Sequence, residues 1–109
     1  DQEALQANAK KMGAKLKTGL KNLKDKYQSI GDVRGMGLFV GIELIDETGR
    51  ENMRLCSFVK NRMRDFRILI GSEGPMDNVL KIRPPLSIEI GDIDMIIGTL
   101  DIILEEANC

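Results

Sequence analysis

Lys81 and Arg83, in the stretch Val79-Leu80-Lys81-Ile82-Arg83-Pro84-Pro85-Leu86, are the residues of this sequence whose types and spacing bear most directly on chemistry. Two residues apart on a strand, they project from the same face, about 7 Å from one another by strand rise. Two cations so placed could grip a carboxylate or a phosphate. The proline pair removes two backbone donors and biases Arg83 toward extended backbone, so the strand must stop there and leave its last side chains at a sheet edge or cleft. The same spacing also fits two cations on the solvent face of a half-buried strand, paired with Glu43 or Glu89. Spacing alone leaves both readings open.

Other chemistry is largely excluded by composition. The sequence contains no histidine, so Ser-His and Cys-His nucleophile pairs and imidazole-metal sites are ruled out. Cys56 and Cys109 have neither CxxC nor metal-ligand spacing and form no disulfide framework, which fits a reducing, intracellular setting. Asp92 and Asp94, and Glu105 and Glu106, fall at the ends of a helical segment where they suit capping and solvation, so no metal site is expected. Gly35, Gly37 and Gly41 superficially resemble a phosphate loop. Such a loop must follow a strand and open a helix, however, whereas these glycines lead into and sit inside a strand pattern; a bend or a close backbone approach is the better account.

The elements that must position the two cations follow from periodicity. Leu5, Ala9, Met12, Leu16, Leu20, Leu23 and Tyr27 recur at steps of three and four, with lysines on the other faces, which predicts a long amphipathic first helix. Gly13 and Gly19 weaken that helix by about 1 kcal/mol each relative to Ala, so it should depend on packing against something. Alternation from Val33 to Leu44 predicts a strand, and Met53, Cys56, Val59, Met63 and Phe66 form the stripe of a second helix from about residue 51 to 66. A short strand at 67–70, a turn-rich loop at 71–78, the strand Val79 to Arg83, and a last helix opening at Gly91, Asp92 and Asp94 complete the chain.

The expected order is α-β-α-β-β-α in one α/β (α+β) domain over residues 1–109, a three-stranded mixed sheet covered by helices. The connection through the second helix lets the first two strands run parallel with a gap between them, and the hairpin return places Val79 to Arg83 in that gap as a split β-α-β unit with a right-handed crossover.

With one Tyr, three Phe and no Trp, the core must be aliphatic. Net charge is -1, yet residues 1–26 hold seven lysines against three acids. A basic helix could attract polyanions, but its lysines have no interleaved aromatics to stack bases, so a solvated helix face is the better reading and no nucleic-acid partner is expected. No apolar run approaches the roughly 20 residues needed to span a bilayer, and no signal-peptide core opens the chain; no membrane partner is expected. The start at Asp1 rather than Met leads us to expect a processed product or an excised fragment.

Two runs carry a family resemblance. Ile30-Gly31-Asp32-Val33-Arg34-Gly35-Met36-Gly37-Leu38-Phe39-Val40-Gly41-Ile42-Glu43-Leu44 resembles the opening of the C-terminal small domain of class III pyridoxal-phosphate-dependent aminotransferases. Ile68-Leu69-Ile70-Gly71-Ser72-Glu73-Gly74-Pro75-Met76-Asp77-Asn78-Val79-Leu80-Lys81-Ile82-Arg83-Pro84-Pro85-Leu86 is similar to the end of the same domain, in the branch of alanine-glyoxylate aminotransferase 2-like proteins and ethanolamine-phosphate phospho-lyases. The similarity covers nearly the whole chain.

The resemblance implies the small domain of a fold-type-I enzyme whose larger domain holds pyridoxal 5'-phosphate, with no catalytic or cofactor-binding residue in this chain and no activity for the chain alone. It implies amino-group transfer or phospho-lyase elimination, an amino-acid or phosphoamine substrate, the enzyme's own large domain as partner, a homodimeric parent, and a mitochondrial-matrix or cytoplasmic location. The position of Lys81 matches one where ornithine and aminobutyrate members carry a carboxylate-binding Arg. This chain has Lys there and Arg at position 83. A lysine lacks the planar bidentate fork, which suits a phosphate-bearing amine better than a clamped carboxylate. Arg34 reads as a structural cation at the start of the strand. Two other readings stand beside this one: a stand-alone α/β binding or interaction module, and a homo-oligomeric structural domain.

Overall fold

A computed structural model of the chain describes residues 2–65, 71–73 and 78–107. Helix α1 (Gln2–Lys26) leads into strands β1 (Ile30–Met36) and β2 (Phe39–Leu44), then helix α2 (Met53–Asp65), strands β3 (Gly71–Glu73) and β4 (Val79–Ile82), and helix α3 (Ile90–Glu106). The strands form one sheet in the order β1-β2-β4-β3, with every neighbouring pair antiparallel.

The expected alternating strand at 33–44 is thus a hairpin, and the sheet has four strands rather than three. The chain reverses at Gly37, whose φ of 57° suits glycine, and Met36 then pairs with Phe39. Alternation concealed the turn because Leu38, inside it, is buried like Val40, Ile42 and Leu44 after it. The split arrangement does hold for the remaining strands. β4 lies between β2 and β3 and opposes both, so β2 and β3 are parallel and α2 crosses between them. The short strand expected at 67–70 lies outside the described residues, whereas 71–73, expected as loop, is β3.

The amphipathic pattern of α1 buries Met12, Leu16, Leu20 and Leu23 against β1 and β2, while Leu5, expected on the same stripe, is exposed. Both helix glycines have packing reasons. A Cβ at Gly13 would overlap the carbonyl of Gly37, so the helix rests on the hairpin turn. A Cβ at Gly19 would overlap Cδ1 of Ile97, where α1 meets α3. At Gly13 the propensity lost is therefore exchanged for close backbone approach, whereas at Gly19 the atom met is the end of a side chain that can shift.

Helix α2 opens at Asn52, whose Oδ1 accepts the Leu55 amide at 3.0 Å, and buries Leu55, Cys56, Val59 and Met63. In α3 the Glu89 amide donates to Asp92 Oδ2 at 3.1 Å, an acidic first turn suited to the positive helix end. One continuous aliphatic core joins α1, α2 and α3 to Val33, Val40, Ile42, Leu44, Leu80 and Ile82.

These inward residues occupy one side of the sheet. The alternate residues Arg34, Met36, Phe39, Gly41, Glu43 and Lys81 project to the other, on which no described helix packs, so the helices cover one face and not both.

Candidate functional site

The open face of the sheet carries the cations. Lys81, in β4, pairs with Gly41 of β2 and with Gly71 of β3. Arg83 follows just past the strand end. Both reach the same aromatic ring: Lys81 Nζ stands 5.0 Å and Arg83 Cζ 4.4 Å from the centroid of Phe39. They therefore project from one face, as their spacing requires, and the exposed Phe39 ring holds them near each other by cation–π attraction of about 0.5–1 kcal/mol per contact.

Two polar anchors fix β4, one before its first residue and one beyond its last. The buried Asn78 donates from Nδ2 to the Leu44 carbonyl at 3.1 Å, and its own carbonyl accepts the Leu44 amide at 2.9 Å, setting the register of β4 on β2. After the proline pair, Asn8 of α1 donates from Nδ2 to the carbonyls of Leu86 at 2.8 Å and Ile88 at 2.9 Å. The chain leaving the site is thereby tied to the first helix.

Beside Lys81 lies an open concavity of about 570 Å³ lined by Arg34, Gly35, Met36, Phe39, Gly41, Val79 and Lys81. Arg34 is held by two acids: its Nη1 lies 2.9 Å from Asp32 Oδ2 and 3.5 Å from Glu43 Oε2. The Arg34 hydrogen bond holds the Asp32 carboxyl below the usual range, and the same bond raises Arg34. Glu43, which sequence offered as a partner for the β4 cations, is thus engaged by Arg34. Sequence reasoning left Arg34 outside the site and did not single out Phe39. For Phe39 the signal was available in the alternation itself, since it is out of phase with Val40, Ile42 and Leu44, whereas Arg34 is in phase with them along the chain and reaches the face of Lys81 only through the reversal at Gly37.

All nine lysines lie within α1, α2 or β4, and none is buried. Among the described residues no group of three or more His, Cys, Asp or Glu could hold a metal ion, and no helix is long and apolar enough to cross a membrane.

The model of the family described as aminotransferase class III matches residues 1–104. This chain belongs to the class III aminotransferase family. Among class III relatives, an alanine–glyoxylate aminotransferase 2-like protein of Drosophila melanogaster is 42% identical over 79% of this chain and 18% of its own length. Ethanolamine-phosphate phospho-lyase homolog 1 of Caenorhabditis elegans is 36% identical over 97% of this chain and 23% of its own length. Among solved structures, a phospholyase from Arthrobacter in complex with phosphoethanolamine superposes with a TM-score of 0.91 at 37% identity, covering 96% of this chain and 25% of that one. The class III chain described here thus spans about a quarter or less of the length of these relatives.

Proposed function

We propose that this chain is the C-terminal small domain of a pyridoxal-phosphate-dependent class III enzyme that either transfers an amino group or eliminates phosphate from a phosphorylated amine. The observation that carries the reading is the cationic end of β4: Lys81 and Arg83, gathered by Phe39 on the sheet face that no described helix covers. In this account that face is one wall of the substrate cleft, and a larger domain of the same polypeptide forms the other. The wall's contribution is binding and orientation. Lys81 and Arg83 hold the anionic end of the substrate, and the apolar edge of Phe39 and Met36 excludes water beside it.

The cofactor, when bound, supplies an electron sink for the carbon bearing the amine. Its site is assigned to the larger domain, a reading supported by the chain's spanning only about a quarter of its relatives, and the chain alone is accordingly expected to be inactive. A point-charge lysine at position 81, rather than a forked guanidinium, favours a tetrahedral phosphate over a clamped carboxylate. The similarity to phospho-lyases and to aminotransferases supports both reaction classes. A homodimeric parent and a mitochondrial-matrix or cytoplasmic location rest on family resemblance and, for a reducing compartment, on cysteine usage.

The test is incubation of the full-length enzyme and its cofactor with phosphoethanolamine, following inorganic phosphate with and without an oxo-acid acceptor. Phosphate release without the acceptor identifies the lyase. Acceptor-dependent loss of the amine with phosphate retained on the product identifies the transaminase. Absence of both reactions with phosphoethanolamine, together with no amino-group transfer from any amino acid, would remove the proposal.

A further inference from the structure

Arg34, Gly41 and Lys81 form one row across three strands, because Arg34 pairs with Gly41 and Gly41 pairs with Lys81. Adjacent strands lie about 4.8 Å apart, so the Cα atoms of the two cations stand about 10 Å apart with a side-chain-free residue between them. Both cations line the same concavity, and Gly41 is part of its lining. Arg34 also keeps donors to spare. Asp32 and Glu43 are both met through Nη1, while a guanidinium has five N–H donors in all, the others on Nη2 and Nε.

We propose that Arg34 is a second anion-binding residue of the Lys81 site, and that a phosphate group seated over Gly41 accepts hydrogen bonds from Lys81 on one side and Arg34 on the other. The proposal rests on the reading above, in which Lys81 faces the substrate's anionic end. Geometry gives it a selective consequence. A tetrahedral phosphate has three terminal oxygens directed differently and can meet donors from two sides at once. A carboxylate has two oxygens in one plane and, turned to Lys81, offers little to Arg34. Asp32 and Glu43 are Arg34's positioning residues.

The experiment is calorimetric titration of the full-length holoenzyme with inorganic phosphate and, separately, with acetate at constant ionic strength. In Arg34→Gln, phosphate affinity should fall about tenfold, the loss expected for one charge-assisted hydrogen bond, while acetate affinity changes less than about twofold. Lys81→Gln should weaken both anions. If Lys81→Gln weakens phosphate but Arg34→Gln weakens neither anion, or weakens both equally, Arg34 has no such role and the Lys81 site stands. If Lys81→Gln leaves phosphate unaffected, the site reading fails and this inference with it.

Gly41→Ala is the second variant, usable where the Arg34 substitution disturbs folding. A Cβ there would lie 3.3 Å from Val79 Cγ1, a tight but adjustable contact, and would crowd the seat while leaving both cations in place. Its ratio of phosphate to acetate affinity should drop, and an unchanged ratio overturns the proposal.

Discussion

The two faces of the sheet are built from the same strands and are opposites in chemistry. One presents Val40, Ile42, Leu44, Leu80 and Ile82, almost completely buried beneath the helices; the other presents Arg34, Met36, Phe39, Gly41 and Lys81, with Met36 86% exposed. A strand's period of two lets one segment serve both purposes, since each residue added to the core delivers its neighbour to the far side. With the open face as the proposed wall of the cleft, stability and ligand contact would separate residue by residue. Substitutions on the inner face should act on folding, and those on the outer face on binding.

The largest effect expected from that contrast is in urea unfolding. Leu80→Ala removes a side chain that is 1% exposed and should cost about 2–5 kcal/mol, while Met36→Ala on the open face should stay within about 0.5 kcal/mol. Comparable losses for the two would erase the distinction between the faces.

Glycine substitutions sharpen the same point through the helices. Gly13→Ala puts a Cβ into the Gly37 carbonyl and should destabilise by about 1–3 kcal/mol despite alanine's better helix propensity. Gly98→Ala on α3 meets nothing within 4 Å and should stabilise by up to about 1 kcal/mol. Opposite signs in thermal melting are the expected result; equal signs would show that the α1–hairpin contact is less close than described.

Next in size is the anchor that sets β4 on β2. Asn78→Ala removes the buried amide donated to the Leu44 carbonyl, which keeps the Asn52 amide at 3.0 Å, so a cost of about 1 kcal/mol is expected in urea unfolding. A neutral substitution would mean that backbone pairing alone fixes the register.

The smallest effect lies away from both faces, at the junction of α1 and α3. The Tyr27 hydroxyl donates to the Asp101 carboxylate, and Lys26 Nζ approaches the same group at 2.9 Å. Tyr27 first and Lys26 second hold Asp101 below the usual carboxylate range. A depressed folded-state value stabilises above the ordinary value near 3.9 and is lost as pH falls through the lower folded value. Tyr27 is raised, chiefly by burial and then by Asp101, so its contribution is present below about pH 10 and disappears as pH rises through the folded value. Asp101 is about one-third exposed, so Asp101→Asn should flatten the acid limb of the melting curve by less than about 1 kcal/mol. An unchanged acid limb would assign acid sensitivity elsewhere.

Much of this architecture was legible in the sequence. The heptad-like spacing of Leu16, Leu20 and Leu23 located α1 and its buried side, and Met53 to Met63 located α2. The Lys-x-Arg-Pro-Pro pattern correctly placed two cations on one side of a strand end, and the split β-α-β relation followed from connection length. What sequence could not give was the reversal at Gly37. Leu38 continues the burial pattern through the turn, and period alone cannot distinguish one long strand from a hairpin whose turn residue also enters the core. For the same reason the approach of Arg34 to Lys81 was hidden, because it depends on the register β1-β2-β4 and not on separation along the chain. The aromatic ring that both β4 cations approach likewise comes from β2, a neighbour only in space.

The most direct test of the open face as an anion-binding wall is the steady-state kinetics of full-length Lys81→Gln with phosphoethanolamine, compared with Lys60→Gln on α2. The account predicts that Lys81→Gln raises KM about tenfold or more, by loss of a charge-assisted contact, while Lys60→Gln behaves as the unmodified enzyme. Unchanged KM and kcat/KM in Lys81→Gln would contradict it.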